Sequence, residues 1–286
     1  MFRTLLTSSR FAPLFWTQFL SALSDSFVKN ALVVLILYEI GSTEGATLVT
    51  LAGAVLIAPF FILSGVGGQL ADRFDKAAMA ERIKRAEIPV AVVAAAGFAI
   101  GSITMLFVAL ALYGAFAALF GPIKYGILPV HLAESELPAG NALVEGATFT
   151  AILAGTIAGT LAAGNDGSAW LIAVSVVGLS VLCWLAATRI PPTGEAAPEL
   201  VIDRNPWTST TALLTDLRSD PRIWTGALIQ AWFWLVGAIA LSLLPTLVKE
   251  LIGGTEGVIA ACLLVFTVGI AWGSLLAARA SKTRPN

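Results

Sequence analysis

Polar residues along this chain gather into short clumps and leave long stretches without any charge, at 45–71, 88–123, 146–165, 167–188, 223–248 and 257–278. A helix rises about 1.5 Å per residue, so about 20 apolar residues cross a hydrocarbon layer of about 30 Å. The stretch from residue 88 is too long for one crossing, and Gly101-Ser102 offers a turn inside it, so it predicts two helices. An earlier apolar segment carries Asp25 and Lys29 and adds one more. The pattern therefore predicts eight membrane helices, near 11–38, 47–68, 88–99 (with one further turn to about 101), 105–122, 140–163, 168–187, 224–244 and 257–278. The third is the shortest and reaches full length only if Glu87 or its neighbours lie near the interface.

Composition agrees. Apolar residues make up 57% of the chain and charged residues 12%, against about 25% charged in a soluble domain. The fold class is an all-α membrane protein. Charge bias then orients it. With the N-terminus in the cytoplasm, the inner side collects Arg3, Arg10, Arg73, Lys76, Arg82, Lys84, Arg85, Lys124, Arg189, Arg204, Arg218, Arg222, Arg279, Lys282 and Arg284. That is fifteen of the 17 basic residues; Lys249 falls outside and Lys29 within a helix. Cytoplasmic loops carry such an excess. The first segment is long, contains Asp25 and lacks a small-residue cleavage site, so it predicts a retained helix rather than a signal peptide.

The longest polar stretch, 189–222, contains Pro191, Pro192, Pro198 and Pro206 and divides the chain into a six-helix unit (1–188), a cytoplasmic linker (189–222) and a two-helix unit (223–286). Within the linker, Trp207, Leu213, Leu214 and Leu217 recur at near-helical spacing, predicting a short amphipathic helix on the membrane surface, capped by Thr208 or Ser209.

Little in the sequence suggests bond-making chemistry. Cys183 and Cys262 both fall inside predicted spans, where cysteine acts as a small apolar residue. The single histidine, His131, is expected in a cytoplasmic loop, without the partners a metal site requires. There is no nucleophile elbow or phosphate loop, so a transporter is expected rather than an enzyme, with no metal, cofactor or nucleic-acid partner.

The chemistry that does stand out is charge at membrane depth. Such a charge is costly and usually faces a bundle interior or a water-filled path. At 100° per residue, Gln18, Ser21, Asp25 and Lys29 share one helix face, and Asn30 adjoins it. Asp25 and Lys29 stand four apart, a spacing that allows an ion pair. Asp25 can take a coupling cation or a ligand amine, and Lys29 an anionic group; the pair can equally be structural. Asn141, Glu145 and Thr148 form a second polar face, with Glu145 near the cytoplasmic end of its span, where water can reach it. In the same span Gly155 and Gly159 offer a small-residue packing face. Lys124 can hold a lipid phosphate at the inner leaflet or snorkel to it. Trp224, Trp232, Phe233 and Trp234 make the seventh span strongly aromatic; the deeper rings can pack against lipid or line an acyl-chain route.

Six spans, a cytoplasmic linker and further spans resemble the layout of a major facilitator. Gly68-Gln-Leu-Ala-Asp72-Arg73-Phe-Asp75-Lys76 resembles that superfamily's loop signature, with Asp75 in place of its second glycine, and 273–279 repeats it in degraded form. The resemblance implies a conformational role for Gly68, Asp72, Arg73 and Lys76, with Gly68 at a close helix approach and Asp72 contacting a late helix of the second half. Twelve spans would be complete, so eight imply a fragment, a truncated gene or a shortened version. Two segments narrow the resemblance: 17–32 around Asp25, and 120–129 (Phe-Gly-Pro-Ile-Lys-Tyr-Gly-Ile-Leu-Pro) with 140–159. Both resemble the bacterial lysophospholipid transporter family, closest to the branch fused to a lysophospholipid acyltransferase and an acyl-carrier-protein ligase. The resemblance implies a flippase of the bacterial cytoplasmic membrane, moving lysophosphatidylethanolamine and similar lysolipids from outer to inner leaflet for reacylation. Membrane lipids and a separate acyltransferase or ligase would be its partners. A cation-coupled exporter of drugs or small metabolites, and a non-transporting anchor for lipid-remodelling enzymes, remain alternatives.

Overall fold

A computed structural model describes residues 2–39, 42–164, 168–203, 205–253 and 256–280. Arg204, Lys282 and Arg284, counted above for orientation, lie outside the described residues. The architecture is helical: α1 (Phe2–Leu6), α2 (Ala12–Glu39), α3 (Ser42–Arg73), α4 (Lys76–Ala99), α5 (Ile103–His131), α6 (Leu137–Ala162), α7 (Ala169–Ala187), α8 (Pro206–Ser219), α9 (Pro221–Thr246) and α10 (Glu256–Ala280). Each predicted span falls on one long helix. By length and composition, the helices around Ala12–Ile36, Thr47–Arg73, Ile103–His131, Glu134–Ala162 and Ala169–Ala187 can cross a membrane.

Two boundaries differ from expectation. Residues 76–87, expected in a cytoplasmic loop, form the first three turns of α4, so Lys84 and Glu87 enter the core as a pair. Only Phe74 and Asp75 separate α3 from α4. Helix α5 likewise continues nine residues past Pro122 to His131, which carries Lys124 into the bundle. A proline ring removes one backbone donor, and a packed membrane helix tolerates that loss. The Gly101-Ser102 turn is as expected. Gly101 adopts φ +67°, and Ser102 Oγ accepts from the Met105 N–H to cap α5. The cap of α8 is Asn205, whose side chain accepts from the Trp207 N–H, rather than Thr208 or Ser209.

Helix α2 packs chiefly on α6 and then α7, α3 on α5, and α4 on α5 and α7. Helices α2 and α6 meet at the expected small-residue face. A side-chain carbon added at Gly155 would overlap the Leu23 carbonyl, and one at Gly159 the Phe27 carbonyl. Close approach near the end of α3 belongs to glycines just before the signature rather than to Gly68. Gly68 faces open space, whereas Gly67 abuts the Leu119 backbone and Gly65 the backbone of Ser209 and Thr210.

Buried apolar side chains of α1–α7 form two clusters. One holds Phe11, Leu14, Ala80, Ile83, Phe120 and Ile127. The other holds Phe27, Leu32, Val90, Ala94, Leu110 and Val176. On α2, α4 and α7 the buried residues between these clusters are Thr17, Gln18, Ser21, Ser24, Ser26, Lys84, Glu87, Ser180 and Cys183, so a mostly polar belt lies between two apolar layers.

Candidate functional site

The belt is assembled from five helices. Helix α2 supplies Thr17, Gln18, Ser21, Ser24 and Asp25; α4 supplies Lys84 and Glu87; α5, Tyr113 and Lys124; α6, Glu145 and Thr148; α7, Ser180 and Cys183. Lys84 is fully enclosed and Glu87 is 3% exposed. The Lys84 ammonium lies 2.6 Å from Glu87 Oε1, donates to Ser21 Oγ at 2.8 Å and sits 4.4 Å from the centre of the Phe120 ring. Desolvating two charges is costly, and only close pairing with extra hydrogen bonds offsets it. Lys84 has both.

Asp25 stands differently. It is partly exposed and has no ion pair or hydrogen bond among the described residues. The charges acting on it come from Glu87, Lys84 and Lys124. The expected Asp25–Lys29 pair is not formed; Lys29 is partly buried one turn further along α2 and makes no ion pair among the described residues. Spacing permits an i,i+4 pair, but Lys84 brings a positive charge to the Asp25 side from α4 instead.

Other expected site residues separate into two groups. Gln18 donates to Thr148 Oγ1 at 2.8 Å, and Asn30 to Thr156 Oγ1 at 3.0 Å; both tie α2 to α6. Asn141 is exposed and outside the belt. Glu145 belongs to a smaller cluster in which the Tyr125 hydroxyl donates to Oε1 while Oε2 is buried without a partner. The Lys124 ammonium lies 4.9 Å from the Tyr125 ring centre and acts electrostatically on both Glu145 and Asp25. Among the described residues, the belt thus holds Asp25 with neither oxygen bonded, Glu145 with one oxygen bonded, and Lys124 without a carboxylate partner.

The signature loop forms a second polar centre. Asp75 caps α4 through the Ala78 N–H at 2.8 Å, and its other oxygen accepts from the Thr193 and Gly194 amides at 2.7 and 2.6 Å. Partial burial pushes this carboxyl up, but these hydrogen bonds outweigh it and hold it below the usual range. The Ala197 N–H donates to the Asp72 carbonyl, the Asp203 N–H to Gln69 Oε1, and Gln69 Nε2 to Ser209 Oγ. The Asp72 side chain itself is exposed, Arg73 lies over Phe74, and the buried Lys76 stem packs at Gly126. At the α5–α6 corner, Arg10 grips both Glu136 oxygens at 2.8 and 2.6 Å and donates to the His131 carbonyl.

Phe149 of α6 stacks on Trp234 at 5.4 Å and meets Phe233 edge-on at 5.9 Å, bringing the aromatic face of α9 against α6. Between α9 and α10 a trough of about 540 Å³ is lined by Phe233, Phe266, Ile270 and small residues. No group of metal-ligating side chains occurs among the described residues.

Membrane-length helices, a polar belt among α2 and α4–α7 and a signature at the α3–α4 turn define a membrane transporter rather than an enzyme. The model for the Major Facilitator Superfamily matches residues 14–286, and the chain belongs to that superfamily. Among individual relatives it is similar to "Lysophospholipid transporter LplT" of Serratia proteamaculans (strain 568), 30% identical over 175 residues, and to the protein of that name from Salmonella heidelberg (strain SL476), 32% identical over 190 residues. These alignments cover 61% and 65% of this chain but 42% of each relative, so the chain spans about two-fifths of the length of the relatives it matches.

Proposed function

We propose that the chain is a lysophospholipid transporter of the bacterial cytoplasmic membrane. It receives lysophosphatidylethanolamine-like lipids from the outer leaflet and passes them to the inner one, where a separate acyltransferase or ligase reacylates them. Its N-terminus lies in the cytoplasm, and residues 189–222 join a six-helix half to the start of the second. The observation that carries this reading is Asp25, the carboxylate left open inside the belt. An ammonium headgroup fits it, and Lys124, whose charge also reaches Asp25, supplies the partner for the phosphate. The apolar trough beside Phe233 suits a single acyl chain, in keeping with a lipid substrate rather than a water-soluble one. The relatives named lysophospholipid transporters support the same substrate class.

An open intramembrane carboxylate also suits a coupling cation, which would make the protein an exporter of small molecules. Photoreactive lysophosphatidylethanolamine distinguishes the two. Under the proposed function, label bearing the reactive group near the amine enters α2 and α5 peptides, and excess unlabelled lysolipid removes it. Labelling spread evenly over lipid-facing helices, indifferent to competition, would contradict lysolipid binding at the belt.

A further inference from the structure

We infer that Glu87 acts as a guard, holding the Lys84 ammonium away from Asp25 so that the Asp25 carboxylate stays available. This rests on the reading of Asp25 as the ligand-binding acid and assigns it a positioning residue on another helix. Ser21 and Asp25 are one turn apart on the same face of α2, a separation of about 5–6 Å. Lys84 Nζ is bonded to Ser21, so the ammonium already stands a turn from Asp25. A lysine stem has four carbons and is flexible. What fixes its ammonium is Glu87, three residues on along α4 and 2.6 Å away. Three charged groups act on Asp25: Lys84 and Glu87 from α4 and Lys124 from α5. Lys124 lies over the Tyr125 ring near Glu145, which leaves Lys84 as the cation poised to close on Asp25.

Stability alone gives a weak reason for this pair. Apolar residues of similar volume often replace a buried ion pair at no cost. Placed beside Asp25, the two charges have distinct uses. Lys84 supplies a positive field at the belt while leaving Asp25 free to hold or release its proton. Glu87 keeps that field from becoming a salt bridge that would occupy the ligand's place. Removing Glu87 alone should therefore shut the site, and removing both members should reopen it. A purely structural pair predicts no such recovery.

The test reads Asp25 directly and needs no lipid. Dicyclohexylcarbodiimide modifies carboxyl groups in apolar surroundings when no neighbouring ammonium holds them as carboxylates. The full chain in native membranes is treated with the reagent, and labelling at Asp25 is measured by peptide mass spectrometry in wild type, Glu87→Gln and Lys84→Gln/Glu87→Gln. Expected are clear labelling in wild type, a loss of about tenfold or more in Glu87→Gln, as formation of a buried ion pair implies, and recovery in the double variant. Equal labelling of wild type and Glu87→Gln would overturn the inference. So would failure of the double variant to recover, or a folded wild type unlabelled at Asp25. Lysolipid uptake by the same variants is scored separately, so a wrong substrate and a wrong guard give different patterns.

Discussion

Asp75 and Asp25 lie within one packed group of helices and are treated in opposite ways. At the α3–α4 turn, Asp75 commits both oxygens, one to the α4 cap and one to two linker amides. In the belt, Asp25 has no hydrogen bond or ion pair among the described residues, although Lys84 is a turn away. The first arrangement is a finished contact that joins the signature loop to the linker. The second leaves a partly exposed acid unpaired within a membrane helix, in a place where an unpaired charge is hard to keep. The contrast separates a residue that joins two segments of the molecule from one proposed to bind a ligand.

The largest stability effect should come from unbalancing the belt. Lys84→Met strands Glu87 in the core and should destabilise by about 3–5 kcal/mol, whereas Lys84→Met/Glu87→Leu should cost little, as in other buried pairs replaced together. Thermal unfolding in detergent compares them. Glu87→Gln should be milder than Lys84→Met, because the freed ammonium can turn to Asp25. Next comes the α2–α6 seam. Gly155→Leu drives a side chain into the Leu23 carbonyl and should cost about 1–3 kcal/mol, while the same change at Gly68, which faces open space, should be nearly silent.

The clasp comes third. Asp75→Ala removes a cap and should lower stability by about 1 kcal/mol, with faster amide exchange at Thr193 and Gly194. Because the folded carboxyl is held below its ordinary value, its contribution is complete above the unfolded value and is lost as pH falls through the folded one. Protection of the Thr193 and Gly194 amides, taken relative to their intrinsic exchange rates at each pH, should therefore fall on acidification in wild type and stay constant in Asp75→Asn. Lys29→Gln should have the smallest effect on the belt, since Lys29 is not among the charges acting on Asp25.

Much of this was legible from residue order. Uninterrupted apolar stretches locate the helices because the bilayer imposes a minimum length, and Asp25 stands out because a charge within such a stretch needs a reason. The Gly155/Gly159 face is visible at helical spacing. Lys84 and Glu87 are not, because dividing a chain at its charges assigns a cluster of four basic residues and two acids to a loop. The signal was the third segment, only about twelve residues long and too short to cross. A helix that must start earlier brings Lys84 and Glu87 inward, three apart. Lys124 was hidden in the same way by Pro122, which resembles a helix end yet lies within α5. The role of Asp75 was obscured by its departure from the signature. It replaces a glycine, but with φ −56° it makes no left-handed turn and serves as a cap.

Uptake of labelled lysophosphatidylethanolamine into spheroplasts, compared between wild type and Asp25→Asn at matched membrane expression, tests the claim for Asp25 most directly. Uptake by wild type that falls at least about tenfold in Asp25→Asn, as loss of a charged hydrogen-bond partner implies, is the predicted result. Equal uptake by the two would contradict it, and would make the open acid of the belt a feature of the fold without a part in transport.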